Sequence, residues 1–321
     1  MALCCPSRAT LWTGRAAHNH NVTNVAPPHG GYPKVVQQGI NDDNLFLWMQ
    51  AAGYNTYYTG KLWNFHSVDN FQAPYARGFN GSDFLLDPYT YQYWNAKMSH
   101  NGGDPVSYAG RYSTDVVAEK ATYWLNEALQ HPDVPFFLTV APIAPHSNWV
   151  LEPEKNLSYL IEPFSAPRHQ NLFNDYKIPR NMAYNSAISG GVGWIKDLPP
   201  LNETVLEYND HYQRQRLRSL QAVDEMLDGL VNQLEEAGVL DNTYIFYTTD
   251  NGYHISQHRM GPGKECGYGK LDKQIRHTQN RGKGHSSHTY FRYRYSYSIL
   301  HSRTRYCAWE HYRYCHHAHR C

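Results

Sequence analysis

Five short segments of the 321-residue sequence carry side chains able to bind and attack an anion. The first is Cys4-Cys5-Pro6-Ser7-Arg8-Ala9-Thr10-Leu11-Trp12-Thr13-Gly14-Arg15. The others are Gly60-Lys61, Ala144-Pro145-His146, Asp250-Asn251-Gly252-Tyr253-His254 and Gly263-Lys264-Glu265. Together they hold thiols that can be a nucleophile or its precursor, fixed cations, an imidazole, and a carboxylate beside an amide oxygen. These are the types needed to hold an anion and to balance charge as a bond to it breaks. Taken singly, each segment has a plainer reading. A Cys pair beside a turn packs a core, a Lys after Gly is a solvated surface group, a His after Pro is structural, and Asp-Asn-Gly makes a turn.

The elements around these segments read as α/β. Leu45, Leu47, Trp48 and Ala51 mark a short helix closed by Gly53, and residues 54–58 form a strand running into Gly60-Lys61. A helix opens at Ser113 and Asp115 and runs through Ala128, with Val116, Val117, Ala121, Trp124 and Leu125 as its apolar stripe. Residues 135–141 are an apolar run suited to a buried strand, and the segment 150–205 is a Pro- and Asn-rich excursion. The clearest helix spans about Asn209 to Ala237, with Leu217, Leu220, Val223, Leu227, Leu230, Val231 and Leu234 on one face and Gly238 as its stop. Thr243–Thr248 is expected to be the next buried strand. Helices alternating with apolar strands predict a mainly parallel sheet covered on both faces, with ligands at the strands' carboxyl ends. His146 and Asp250-Asn251 follow such ends.

The first segment resembles the signature of the sulfatase family, Cys-x-Pro-Ser-Arg followed at fixed distance by Thr-Gly-Arg. Seven specified positions at fixed spacing arise by chance on the order of once in a million such chains. The resemblance covers roughly residues 1–268 and is nearest to the arylsulfatase and N-acetylglucosamine-6-sulfatase branch. It implies an alkaline-phosphatase-like sandwich with a mainly parallel central sheet between helices. It also implies a sulfuric ester hydrolase, in which a separate formylglycine-generating enzyme oxidises Cys4, not Cys5, to formylglycine. By the same resemblance Arg8, Lys61, His146 and Lys264 join Cys4 as catalytic residues. Cys4, Asp250 and Asn251 bind Ca²⁺ or Mg²⁺, and the substrate is a sulfate-ester small molecule or a sulfated sugar. His18, His20 and His66 are further candidates for the pocket lining. Two other readings stand beside this one: a noncatalytic anion-binding remnant using Arg8, Lys61 and Lys264, and a phosphoester or phosphonate hydrolase of the same superfold.

Both ends depart from the family pattern. The resemblance implies an amino-terminal strand with paired aspartates before the Cys motif and a smaller carboxyl-terminal subdomain, neither of which this sequence contains, so turnover by this chain is a separate question from its descent. No signal peptide precedes Cys4, no apolar run could span a membrane, and sequons at Asn21, Asn80, Asn156 and Asn202 point to a secretory or lysosome-like parent. The charge supports a join near residue 268. Of 29 basic and 28 acidic side chains, 11 and 2 lie in residues 269–321, leaving 18 and 26 before them. The near-zero total argues against a nucleic-acid partner, and the basic stretch reads as a tail too poor in aliphatic residues to fold. Its His311, Cys315, His316, His317, His319 and Cys321 could ligate Zn²⁺ or Cu²⁺, but their spacing matches no standard zinc module.

Overall fold

The computed structural model describes residues 3–186, 193–264 and 276–279. A five-stranded sheet stands at the centre. Its strands are β1 (Asn55–Lys61), β2 (Gly81–Leu85), β3 (Lys97–His100), β4 (Val106–Ser107) and β5 (Phe136–Ala141), in the spatial order β4-β3-β2-β1-β5. The core trio β2-β1-β5 is parallel, and β3 and β4 extend it antiparallel. The sheet is therefore mixed, with its parallel part beneath the segments singled out above. The fold is α/β and alkaline-phosphatase-like.

The period-two alternation of a strand explains the two helical layers. Tyr58 faces one side, where it packs with Trp12, Phe46 and Phe84 beneath α1 (Cys4–Thr13), α2 (Ala17–His20), α3 (Gly31–Gln37) and α4 (Leu45–Ala51). Tyr57 faces the other side and stacks on Trp124 of α5 (Ser113–Leu129), at 5.5 Å between ring centroids. The predicted stripe of α5 is buried in full. Beyond β5 come the antiparallel hairpin of β6 (Asn148–Glu152) and β7 (Leu157–Ile161), the short α6 (Gly193–Lys196) and the long α7 (Glu203–Glu236).

Helix α7 begins earlier than the sequence predicted, because Asn202 caps it by accepting the Val205 amide at 3.0 Å. Leu217, Leu220, Val223, Leu230 and Leu234 are buried, but Ala222 and Met226 take core places expected of Leu227 and Val231, which are half-buried. Likewise Phe46, absent from the predicted stripe, is the buried residue of α4, while Trp48 is exposed. The predicted excursion 150–205 holds the β6–β7 hairpin and the start of α7.

One expectation fails. Thr243–Thr248 does not enter the central sheet. Only β8 (Tyr244–Tyr247) forms there, and it pairs antiparallel with β9 (Arg276–Gln279) in a separate two-stranded sheet. Tyr244 and Phe246 are exposed and Tyr247 is half-buried, because apolar content alone does not say which face of a strand meets a partner. The run 135–141 does form β5, but half-buried throughout rather than buried. Apart from β9, the segment 269–321 and its candidate Zn²⁺ or Cu²⁺ ligands lie outside the described residues. Among the described residues, no helix is long and apolar enough to cross a membrane.

Gly60 is the backbone constraint that fixes Lys61. It sits in β1 opposite Ala141 of β5, with φ at +106°, and a Cβ there would lie 2.1 Å from the Ala141 carbonyl oxygen. A side chain at this position meets both a disfavoured backbone region and a clash. Gly60→Ala is expected to cost about 1–3 kcal/mol of stability, measured by urea unfolding. Wild-type stability in the variant would show that the close approach of β1 to β5 is not what positions Lys61.

Candidate active site

Cys4 is the first residue of α1, and Arg8, one turn on, shares its face. Gly14 adopts φ +66° and closes the helix with its N–H on the Thr10 carbonyl at 3.0 Å. The Thr-Gly pair of the motif is therefore the helix stop, and Arg15 turns outward to an exposed ion pair with Asp43 at 3.0 Å.

Arg8 binds two parts of the molecule through three groups. Its Nε donates to Asp250 Oδ2 at 3.3 Å, and its Nη1 donates to the Lys61 carbonyl at 2.6 Å and to the Tyr58 hydroxyl at 3.3 Å. Tyr58 donates to the same Lys61 carbonyl at 2.6 Å, and Ser7 Oγ donates to the Asp250 carbonyl. Helix α1 is thus tied to the end of β1 and to the segment after β8. Lys61, 3% exposed, lies 3.9 Å from Asp250 Oδ2 and 4.8 Å from the centre of the Tyr91 ring. Tyr91 stacks on the His146 ring at 4.2 Å.

Lys264 returns to the site through a narrow loop. The backbones of His254 and Gly263 bond to each other at 2.8 and 3.0 Å, which folds residues 254–263 back on themselves. Lys264 Nζ then lies 2.8 Å from Cys4 Sγ and 3.1 Å from Asn251 Oδ1. Cys4 Sγ lies 3.9 Å from the same Oδ1. Asn251 is buried, and its Nδ2 has no hydrogen-bond partner among the described residues, so a donor is left for a ligand oxygen.

Helix α7 holds the remaining walls. Arg216 donates to the Pro145 carbonyl at 3.0 Å and lies 3.9 Å over the Tyr253 ring, while Tyr212 bonds to the Ser147 hydroxyl and accepts from the Tyr253 hydroxyl at 3.1 Å. These residues fix the loops of His146 and Asp250 relative to each other. Sequence reasoning missed them, since nothing in the amphipathic stripe of α7 marks a polar residue on its flank as a brace for a loop.

The electrostatics follow from packing three cations around one carboxylate. Burial opposes ionisation of the Cys4 thiol, but Lys61 and Lys264 outweigh it and hold the thiol below its ordinary range. Cys5 faces the aromatic core, where burial pushes its thiol up to about 12. Asp250 is held far below the usual carboxylate range, since Arg8, Lys264 and Lys61 outweigh its desolvation. Desolvation lowers Lys61. Lys264 is desolvated too, but Cys4 and Asp250 raise it overall. His146 is pushed well down by burial and by the two lysines, so its ring is neutral. Its Nδ1 donates to the Ser147 carbonyl at 2.9 Å, which leaves Nε2 as an acceptor.

Asp250 Oδ2 faces Arg8 and Lys61, and Asn251 Oδ1 faces Lys264. Ca²⁺ takes six to eight oxygen ligands, and no group of three metal-binding side chains exists among the described residues. The described residues alone do not build a calcium site.

Every residue that the motif resemblance nominated for catalysis or metal binding therefore meets at one place: Cys4, Arg8, Lys61, His146, Asp250, Asn251 and Lys264. The extra histidines do not. His18 is exposed. His20 is buried beneath α1, bonding Thr10 Oγ1 and the Val22 amide, both at 3.1 Å. His66 sits fully buried between Tyr32 and Phe84.

The sulfatase family profile matches residues 1–294. The chain belongs to the sulfatase family. It is 43% identical to an arylsulfatase of Volvox carteri over 274 residues, covering 83% of this chain and 42% of that protein. It is 34% identical to an N-acetylglucosamine-6-sulfatase of Capra hircus, covering 80% of this chain and 44% of that one. The chain thus spans less than half the length of these relatives. Among solved structures, BT4656 in complex with its substrate D-glucosamine-2-N,6-O-disulfate superposes with a TM-score of 0.65 at 21% identity, covering 87% of this chain and 62% of that one. The likeness is one of fold.

The misplaced histidine yields a pH test. His66 is fully buried among aromatic rings, and burial lowers it to about 3. The unfolded chain takes up this proton below about pH 6.5, but the folded chain does so only near 3. His66 therefore costs stability progressively as pH falls through that window, by up to roughly 1.4 kcal/mol per pH unit. His66→Leu is expected to gain on the wild type in urea unfolding as pH drops from about 6.5 toward 3. A difference that stays constant with pH would show that this histidine does not titrate as its burial requires.

Proposed function

We propose that the chain is the nucleophile-bearing part of a sulfuric ester hydrolase acting on sulfate monoesters. The observation that carries this reading is the contact of Lys264 Nζ with Cys4 Sγ at 2.8 Å, across 260 residues of sequence, inside a ring of cations. Structural packing alone gives no reason to gather Arg8, Lys61 and Lys264 around a thiol, because buried like charges repel and must be desolvated. An anionic substrate supplies the reason.

Conversion of Cys4 to formylglycine would supply a hydrated aldehyde, one hydroxyl of which attacks sulfur while the other permits release of sulfate. The surroundings suit such a group, since an ammonium and an amide meet the Sγ position and can hold two oxygens. Arg8 and Lys61 hold the sulfate oxygens and balance charge as the ester S–O bond breaks. Lys264 bridges nucleophile and ester oxygen, and its ammonium gives a proton to the departing alcohol or phenol. His146, neutral with Nε2 free to accept, takes the proton role of an acceptor rather than a donor. A secretory parent and maturation by a formylglycine-generating enzyme accord with this reading.

Mass spectrometry of the peptide bearing Cys4, together with an aryl sulfate assay, tests it. Cys4→Ala is expected to reduce activity to background, while Cys5→Ala keeps most of it, because Cys5 points from α1 into the aromatic core. Lys264→Ala is expected to lose on the order of 10²–10³ in turnover. Equal loss from both cysteine variants would overturn the nucleophile assignment. A preference for aryl phosphate over aryl sulfate would overturn the reaction class.

A further inference from the structure

We propose that Tyr91 is a positioning residue for the anion site, a single aromatic ring that holds both the Lys61 ammonium and the His146 imidazole in place. The proposal rests on the reading of the site as one for a sulfate-type anion. Tyr91 lies outside all five segments that the sequence marks, and only the packing brings it to the site.

Both of its partners lack something that their other bonds supply. Lys61 Nζ lies 3.9 Å from Asp250 Oδ2, beyond hydrogen-bond range, so the carboxylate draws the ammonium without fixing it. The Tyr91 ring meets that ammonium at 4.8 Å from its centroid. An aromatic face attracts a cation most strongly where water is excluded, and Lys61 and Tyr91 are only 3% and 4% exposed. For His146, the bond from Nδ1 to the Ser147 carbonyl at 2.9 Å sets the rotation of the imidazole but not its tilt. Stacking on Tyr91, at 4.2 Å between ring centroids and 29° between planes, sets the tilt. With rotation and tilt both set, Nε2 keeps one direction.

Tyr91 is anchored to the two segments that it serves. Asn64, shortly after Lys61, donates through Nδ2 to the Tyr91 hydroxyl at 2.9 Å. Trp149, shortly after His146, donates its amide to the Tyr91 carbonyl at 2.9 Å. The residue is thus tied at its tip to the continuation of β1 and at its backbone to the segment that follows β5. Filling a core gives no reason to bury an ammonium against the ring, since a desolvated cation is costly beside a group that does not attract it.

The test varies the electron density of the ring at nearly constant volume. The full chain is made as wild type, as Tyr91→Phe, and with monofluoro- and trifluorophenylalanine at position 91. Sulfate affinity is read from the sulfate-dependent rise in unfolding temperature, against chloride at equal ionic strength. Tyr91→Phe, which keeps the ring and loses the Asn64 bond, is expected to weaken sulfate binding by about threefold. The trifluoro ring should weaken it by about a further tenfold, with the monofluoro ring between, as the attraction for Lys61 fades. Aryl sulfate turnover should fall in the same order. A ring that only fills space would bind sulfate alike throughout the series, and equal affinity in Tyr91→Phe and its trifluoro counterpart would overturn the proposal. Sulfate affinity that falls along the series in a chain without aryl sulfate hydrolysis would support the role of Tyr91 and contradict only the reaction proposed above.

Discussion

The arrangement of the whole site turns on one imbalance of charge: Arg8, Lys61 and Lys264 gathered around a single carboxylate, Asp250. Desolvating one unpaired ammonium costs several kcal/mol, so three cations brought together need compensation. Asp250 supplies one negative charge. Carbonyls of Lys61 and Leu62 accept from Arg8 Nη1, and the Cys4 thiol, held below its ordinary range, lies beside the lysines. A surplus of positive charge remains. It is the physical demand that an anionic ligand meets, and the orphaned Asn251 Nδ2 adds a donor of the same polarity.

The fold serves this imbalance by making three strand ends and one helix start converge. The parallel trio β2-β1-β5 places the carboxyl ends of β1 and β5 side by side, which puts Lys61 and the loop of His146 on one edge of the sheet. Helix α1 lies across that edge and brings Cys4 and Arg8 on successive turns. The folded-back loop 254–263 returns Lys264 to Asn251. Helix α7, through Arg216 and Tyr212, braces the loops from the far side. Each contact joins segments distant in sequence, so the site is stable only when the sheet and both helical layers are formed.

Much of this was legible in the residues, for reasons that are physical. Both long helices announced themselves through stripes of apolar side chains at helical spacing, β5 through a short apolar run and β1 as the stretch leading into Gly60-Lys61, whereas β2, β3 and β4 carried no such mark. The seven candidate residues were legible through resemblance to a family, with the fixed spacing of the Cys4–Arg15 segment marking Cys4 and Arg8. Their convergence was not, since Lys264 approaches Cys4 through a backbone pairing of His254 with Gly263 that no side-chain pattern encodes. Residues 243–248 misled because an apolar strand carries no mark of which sheet it joins. His66 misled because an imidazole can be buried neutral among Tyr32 and Phe84, where burial alone holds off its proton.

The claim on which the rest depends is that the cation ring exists to hold a sulfate-type anion. Thermal unfolding of the full chain with increasing sodium sulfate, against sodium chloride at equal ionic strength, tests it directly. Binding to the folded state alone raises the unfolding temperature in a saturable way. Such a rise is expected in the wild type, with its loss in both Lys61→Ala and Lys264→Ala. A sulfate effect no greater than that of chloride, or one that survives both lysine variants, would contradict it.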